Sequence, residues 1–296
     1  MSLDGRFLTG IAVAIVVSLA VAWTIHKRPA AGATPPPRFT GPLAARTPET
    51  EAVFAAVAGA GLDATRVRAF HDPSTKVLEF DVDAKRAVEW RDRLEPGLVS
   101  HGWYPVVVRD EHGLLEDNAT RDAAGARKPA DVVAAAARID VERWLGDRQA
   151  DEETYGALEL GEWGREAPAK GFTIPFDVLT KKPAPDVRIA FVPTPRGWEV
   201  PAWFRLGGWN ECPPAEVHVA VLHRWFDRYG ARLVCLAGDT IEMRVERSPT
   251  DRAGAEALAR EQFVYTGGDL VFQGTGTLRA LAGTLIRAET WFFWWD

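Results

Sequence analysis

Apolar and charged side chains alternate strictly over residues 241–246, near the carboxyl-terminal end of this 296-residue chain. A period of two is typical of a β-strand with one buried and one solvated face, and it places Glu242 on the solvated face. A second apolar run covers residues 232–237, and Gly238 and Asp239 between the two runs are a two-residue hairpin signal. The pattern therefore predicts an antiparallel hairpin.

Helical periodicity dominates the segments on either side of this hairpin. Apolar side chains recur at every fourth residue from Val217 to Tyr229, and a proline pair before this stretch and a glycine after it bound a helix. Two further helices are predicted over residues 251–265 and 277–288. The aromatic run over residues 291–296 has no polar face, which predicts a central strand buried on both sides.

Upstream, the pattern is less regular. Helical and strand-like pieces follow one another over residues 48–108, and an alanine-rich helix begins at Pro129 and continues through Trp144. Residues 147–185 contain several glycines and prolines and show no period, so we expect an irregular connection with short strands. The whole pattern predicts an α+β fold with a mixed or antiparallel sheet and flanking helices.

The amino-terminal end carries a different signal. Residues 7–25 are 19 consecutive uncharged positions, about the length that spans a bilayer as a helix. The run predicts a single transmembrane anchor, and a cleaved signal peptide is the alternative because Ala20 and Ala22 fit a small-x-small cleavage site. Basic residues after the run favour a cytoplasmic soluble part, whereas cleavage would give a secreted or periplasmic protein.

These signals divide the chain into four parts. We expect an anchor over residues 1–28, a proline-rich tether over 29–48, an α/β segment with its irregular connection over 49–186, and an α+β domain over 187–296. The two cysteines in the soluble part are too few for a disulfide scaffold, which agrees with a reducing compartment.

The charge distribution limits the class of partner. The chain has a formal net charge of −6, but residues 1–48 hold five basic and one acidic side chain, so the remainder has 30 basic and 40 acidic ones and a net charge of −10. Such a balance argues against nucleic-acid binding, which needs a basic patch. It permits a basic protein partner.

The candidate binding residues follow two glycines ahead of a predicted helix. Asn210 and Glu211 could face a ligand there, although a strand-to-helix turn with local backbone hydrogen bonds explains them equally simply. Asp239 and Glu242 join them as candidates because a hairpin tip beside this turn could form one rim. Trp203 and Trp209 are the tryptophans expected to be partly exposed, and they are candidates because tryptophan is enriched at binding surfaces.

Signals for metals and cofactors are absent from the sequence. His218 and His223 are five residues apart, about 140° around a helix, so they cannot chelate as a pair at i, i+4 would. His218 is better explained as a core histidine. Cys212 and Cys235 lack ligating neighbours, and the glycines at 274–276 lack the remaining residues of a phosphate loop. We expect no cofactor and no metal.

At the carboxyl-terminal end the chain resembles a known bacterial family, the domain-of-unknown-function family 4253. The motifs that carry this resemblance are GWEVP at residues 197–201, GGWNECP at 207–213, WFDRYGA at 225–231, GDTIE at 238–242 and WFFWWD at 291–296. It covers residues 187–296. The family has no established activity, so the resemblance implies a fold-level grouping and no catalytic residues.

Two functions are compatible with these features. A protein-binding or regulatory module held at the membrane, with an immunity-type protein that neutralises a basic toxin as one version, fits the acidic balance, the twelve tryptophans and the lack of a catalytic signature. The alternative is a hydrolase that uses Asn210, Glu211, Asp239 and Glu242.

Overall fold

The structure is a computed structural model that describes residues 41–70, 75–110, 115, 127–150, 158–164, 166–177 and 180–296. The strands of this part of the chain are β1 (Arg68–Ala69), β2 (Leu78–Asp81), β3 (Tyr104–Val108), β4 (Arg188–Val192), β5 (Arg232–Leu236), β6 (Thr240–Arg244) and β7 (Thr290–Trp294). Its α-helices are α1 (Glu51–Gly59), α2 (Ala87–Val99), α3 (Pro129–Ala136), α4 (Val141–Gln149), α5 (Val200–Phe204), α6 (Ala215–Tyr229), α7 (Arg252–Tyr265) and α8 (Leu278–Leu285).

All seven strands form one mixed sheet in the order β1-β2-β4-β3-β5-β6-β7. Strands β3 and β5 are parallel, and every other neighbouring pair is antiparallel. The predicted α+β class with a mixed sheet and flanking helices is thus confirmed, and so is the β5–β6 hairpin. Strand β4 lies between β2 and β3, so the sheet interleaves the two halves of the chain.

Helices cover both faces of the sheet, and the period-two pattern of each strand divides its side chains between them. In β4, Ala190 and Val192 pack into the larger core, which also contains the apolar faces of α6, α7 and α8. Ile189 and Phe191 pack on the opposite face against α1 and α2. Because both faces are covered, β4 is apolar at almost every position.

An aromatic cluster occupies the centre of the larger core. The Trp225 ring stacks on Phe293 at a centroid distance of 5.0 Å and meets Tyr265 and Trp291 edge-on. The buried indole Nε1 of Trp225 donates to Glu261 at 2.9 Å, so its polar atom is satisfied. Rings of this size each bury on the order of 200 Å², which explains why the sequence is rich in tryptophan here.

The prediction of a transmembrane helix in the fold is wrong for the described residues. None of the helices in this part of the chain has the length and apolar composition that crossing a bilayer requires. The longest, α6, has 15 residues and carries charged side chains on its outer face, so it covers only about 22 Å of the roughly 30 Å hydrocarbon layer. The predicted anchor over residues 7–25 lies outside the described residues.

The aromatic carboxyl-terminal strand occupies an edge of the sheet, where a central position was predicted. Strand β7 pairs with β6 and ends the strand order. Its rings are nevertheless almost entirely buried: Trp291 and Phe293 pack into the larger core, and Trp294 is buried on the other face. An aromatic run therefore predicts burial of both faces but does not say where the strand lies in the sheet.

Candidate functional site

The turn at residues 207–212 has a backbone that glycine makes possible. Gly207 and Gly208 have φ angles of 84° and 79°, and Asn210 has 44°, all in the left-handed region. A Cβ on Gly207 would lie 1.8 Å from the Pro213 carbonyl oxygen, so no other residue fits there. The Gly208 amide donates to the Cys212 carbonyl at 3.1 Å, which closes the turn just before α6.

Side chains of this turn connect it to three other parts of the chain. Asn210 donates through Nδ2 to the Asp296 carbonyl at 2.9 Å. Glu211 pairs with Arg148 of α4 at 2.5 Å, and the same guanidinium donates to the Glu211 carbonyl at 2.9 Å and to the Val264 carbonyl at 3.1 Å. Arg148 thereby joins α4, the end of α7 and the turn.

Four carboxylates gather around this turn: Glu211, Asp239, Asp269 and Asp296, here called the acidic cluster. The Asp269 carboxylate accepts from the Asp296 amide at 3.0 Å and from Gln273 at 2.8 Å. Burial raises the pKa of Asp269, and the negative charges of Asp296 and Glu211 raise it further. Like charges therefore lie close together here.

Asp239 lies at the hairpin tip. It is 9% exposed and accepts from the Thr240 hydroxyl at 3.0 Å. Its charge and that of Asp269 both act to raise the pKa of the Cys212 thiol, after burial as the main cause. Asp239 is thus close enough to the turn for its charge to act on Cys212.

Behind the turn lies a buried row of three neutral polar groups: Cys212, His218 and Tyr265. The thiol Sγ is 3.5 Å from His218 Nε2, and His218 Nδ1 is 2.5 Å from the Tyr265 hydroxyl. Burial lowers the pKa of His218 to about 3 and raises the pKa values of Cys212 and Tyr265. The thiol and the imidazole both stay uncharged at neutral pH, so Cys212 is not an activated nucleophile. His218 is a core histidine, as expected.

Glu242 lies away from the cluster, and its expected solvated position is wrong. It is 2% exposed and accepts from the Thr173 amide at 2.6 Å, the Thr173 hydroxyl at 2.7 Å and the Ile174 amide at 3.1 Å. Burial raises the pKa of Glu242. The period of two puts Glu242 on the opposite face of β6 from Ile241, and residues 173–174 cover that face.

The two tryptophan candidates belong to different elements. Trp209, in the turn, is partly exposed and packs against the larger core. Trp203 is also partly exposed and belongs to α5, where it contacts both the larger core and the small core that α3 and α6 share. Trp209, Asn210, Glu211 and Asp239 are therefore brought together, whereas Trp203 and Glu242 are not.

The structure adds an aromatic residue that the sequence reasoning missed. Phe272, in a π-helical turn at Val271–Thr275, is 48% exposed. A Cβ on Gly268 would lie 2.5 Å from the Phe272 ring, and one on Gly267 would lie 2.4 Å from the Glu211 Cβ. Two consecutive left-handed glycines thus bring Phe272 beside the acidic cluster. The glycine pair is the signal that could have identified this contact.

No combination of three or more histidine, cysteine, aspartate or glutamate side chains within the described ranges could hold a metal ion.

Comparison with known families identifies the carboxyl-terminal part of the chain. Residues 188–296 match the family described as "Domain of unknown function (DUF4253)", which confirms the predicted resemblance. The match includes the 207–212 turn, Asp239, Asp269 and Phe272, whereas Arg148 lies outside it. No curated protein and no solved structure shows significant similarity to the chain.

Proposed function

We propose that this protein is a protein-binding module whose acidic cluster receives a basic segment of a partner protein. The observation that carries the proposal is the state of Asp269, whose pKa is raised by burial and by the neighbouring charges of Asp296 and Glu211. Of the four carboxylates in the acidic cluster, Glu211 pairs with the Arg148 guanidinium. A lysine or arginine side chain from a partner would relieve this repulsion.

An apolar contact beside the charges supports a protein as the partner. Phe272 is one of few large apolar side chains exposed in the described ranges, and Trp209 in the turn is partly exposed. Aromatic side chains at the centre of an interface contribute much of its binding energy. A basic segment with one apolar side chain would match both the cluster and Phe272.

An immunity-type role, in which the module neutralises a basic toxin, is the more specific version of this proposal. It is supported by charge alone. The acidic excess is largest upstream of the family match: residues 49–187 contain 18 basic and 27 acidic side chains, and residues 188–296 contain 12 and 13. A basic partner would be attracted by the upstream part and bound at the cluster.

A hydrolase that combines Asn210, Glu211, Asp239 and Glu242 gains no support from the geometry. The Glu242 carboxylate accepts three hydrogen bonds on the far face of the sheet. Glu211 is held in an ion pair with Arg148. A general acid and base pair needs both groups within reach of one substrate.

The test is a calorimetric titration of the full chain with a lysine-rich peptide that has one central leucine, at low and at moderate salt. We expect Glu211→Gln to weaken binding about two- to fivefold, the effect of one exposed ion pair, and Phe272→Ala to weaken it by a similar factor. Rising salt should weaken binding of the wild type more than that of Glu211→Gln.

Glu246→Gln is the matched control. Glu246 is also a half-exposed carboxylate paired with an arginine, Arg232, but it follows the other end of β6. If Glu246→Gln weakens peptide binding as much as Glu211→Gln does, the peptide is attracted by the net charge of the protein and the acidic cluster is not a binding site.

A further inference from the structure

A second site lies at the other end of β5, away from the acidic cluster. A pocket of about 230 Å³ opens between the end of α2, the start of β3, the segment before α5 and the start of β5. Its walls are mainly apolar and include Val99, Pro195, Trp198, Phe226 and Ala231. The sequence predicted no candidate site residue in this region.

Two aromatic rings give the pocket a firm wall. The Trp198 and Phe226 rings lie 4.4 Å apart with an angle of 41° between their planes. Trp198 also stacks on His223 at 4.7 Å and 11°, which fixes its indole plane. Both rings belong to partly exposed residues, so part of their surface is open to a ligand. Preformed aromatic surface of this kind favours a planar apolar group.

Most polar groups that line the pocket are already satisfied. Both carboxylate oxygens of Glu95 accept from the Arg91 guanidinium, at 2.6 and 2.9 Å. The Tyr104 hydroxyl donates to the Leu233 carbonyl at 2.8 Å and accepts from Arg91 at 2.7 Å. Glu95 is thus neutralised and offers little attraction to a cation.

Arg232 is different. It is one of the residues that line the pocket, its charge acts on the neighbouring Tyr104, its side chain is 40% exposed, and it pairs with Glu246 through Nη2. A guanidinium has five N–H donors, so this pairing leaves donors that can bind an anion. Among the side chains that line the pocket, the unused hydrogen-bonding groups are therefore donors on a cation.

We propose that this pocket binds a small planar aromatic carboxylate, with its ring against Trp198 and Phe226 and its carboxylate on Arg232. The volume suits a molecule of one or two fused rings. A charge-assisted hydrogen bond from a guanidinium is stronger than one from a neutral donor, so the carboxylate gives the ligand its selectivity. This site is independent of the proposed protein-binding surface.

Three probes with the same ring and different charge test the proposal: indole-3-acetate, indole-3-ethanol and tryptamine. Binding to the full chain is measured by ligand-observed saturation-transfer NMR and calorimetry. We expect indole-3-acetate to bind at least about fivefold more tightly than the alcohol, and tryptamine to bind most weakly, because Arg232 repels it.

Variants locate the binding. Trp198→Ala should abolish measurable binding, whereas Trp203→Ala, which removes another partly exposed tryptophan outside the pocket, should leave it unchanged. Arg232→Gln should remove the preference for the acetate over the alcohol. Arg228→Gln is its control, since Arg228 is similarly exposed and pairs with Glu261. Glu246→Gln should tighten acetate binding, because it releases donors of Arg232.

The proposal is overturned if none of the three probes binds at millimolar concentration, or if the alcohol and tryptamine bind as well as the acetate. Equal losses in Trp198→Ala and Trp203→Ala would also overturn it. If Trp198→Ala fails to fold, the charge series and the pair Arg232→Gln and Arg228→Gln still decide the question.

Discussion

Buried polar groups near the two ends of α6 are satisfied in opposite ways. The carboxyl-terminal end lies beside the aromatic pocket and is called the pocket end, and the amino-terminal end lies beside the acidic cluster and is called the acidic end. At the pocket end, Arg91 is 1% exposed and fully charged, and it donates to Glu95, Tyr104 and the carbonyl oxygen of Pro105. At the acidic end, the equally buried His218 lies in a row of groups that carry no charge. Burial is similar at both ends, but one is a charged network and the other a neutral one.

This difference determines how each end responds to pH. The carboxylates and hydroxyl around Arg91 favour its charged form more strongly than burial disfavours it, so its pKa is raised. Burial raises the pKa of Tyr104 to about 12. Arg91 therefore stays charged and Tyr104 stays neutral in the physiological range. Burial in contrast disfavours the charged form of His218, so acidification lowers stability at the acidic end.

The largest effect is expected from breaking the charged network. Arg91→Ala leaves Glu95 partly buried without its cation and removes donors from two backbone carbonyls. Loss of one partner from a buried ion pair typically costs about 3–5 kcal/mol, and we expect that decrease in the free energy of unfolding, measured by urea denaturation. Arg143→Ala, at an arginine 78% exposed, is the control and should change little. A cost below about 1 kcal/mol for Arg91→Ala would show that the network is not held by charge.

The second largest effect is a loss of folding stability in acid. The pKa of His218 falls from 6.5 to about 3 on folding, so the unfolded chain binds a proton that the folded chain does not. The stability from neutral His218 is complete above pH 6.5 and decreases as the pH falls towards 3, by roughly 1.4 kcal/mol per pH unit, or about 2–3 kcal/mol at pH 4.5. Urea denaturation at several pH values, on the wild type and His218→Gln, measures this loss.

The two curves should converge on acidification, since the variant lacks the titrating group. His223→Gln is the control, because it removes a histidine whose side chain is 52% exposed and lies outside the buried row. A His218→Gln curve that stays parallel to the wild type would mean that His218 titrates normally.

The smallest effect is expected at Arg148. Its side chain is 23% exposed and Glu211 is 51% exposed, so water can replace the ion pair when Arg148→Ala removes it. We expect a loss of about 1 kcal/mol or less in the free energy of unfolding. A loss close to that of Arg91→Ala would erase the distinction between the two ends and would make Arg148 a structural residue of the core.

Sequence patterns predicted the regular elements well and the contacts between distant segments poorly. The predicted helix up to Tyr229 is found as α6, because its apolar spacing matches one buried face. The alternation of apolar and charged residues correctly assigned the two faces of β6. It could not predict that Thr173, 69 residues away in the chain, covers Glu242. In the same way, Arg148 reaches Glu211 across 63 residues, from a helix whose sequence shows no sign of that pairing.

Strand β4 lies between β2 and β3, although it follows both in the chain. During synthesis, β1, β2 and β3 leave the ribosome before the strand that separates β2 from β3 has been made. The native strand order therefore cannot form until residues 188–192 have been synthesised. Until then the edges of β2 and β3 that later pair with β4 are unpaired. Unpaired strand edges favour non-native strand pairing and aggregation. We expect truncated chains that end before β4 to depend on chaperones, and the family region without β3 to lack the neighbour that joins β4 to β5.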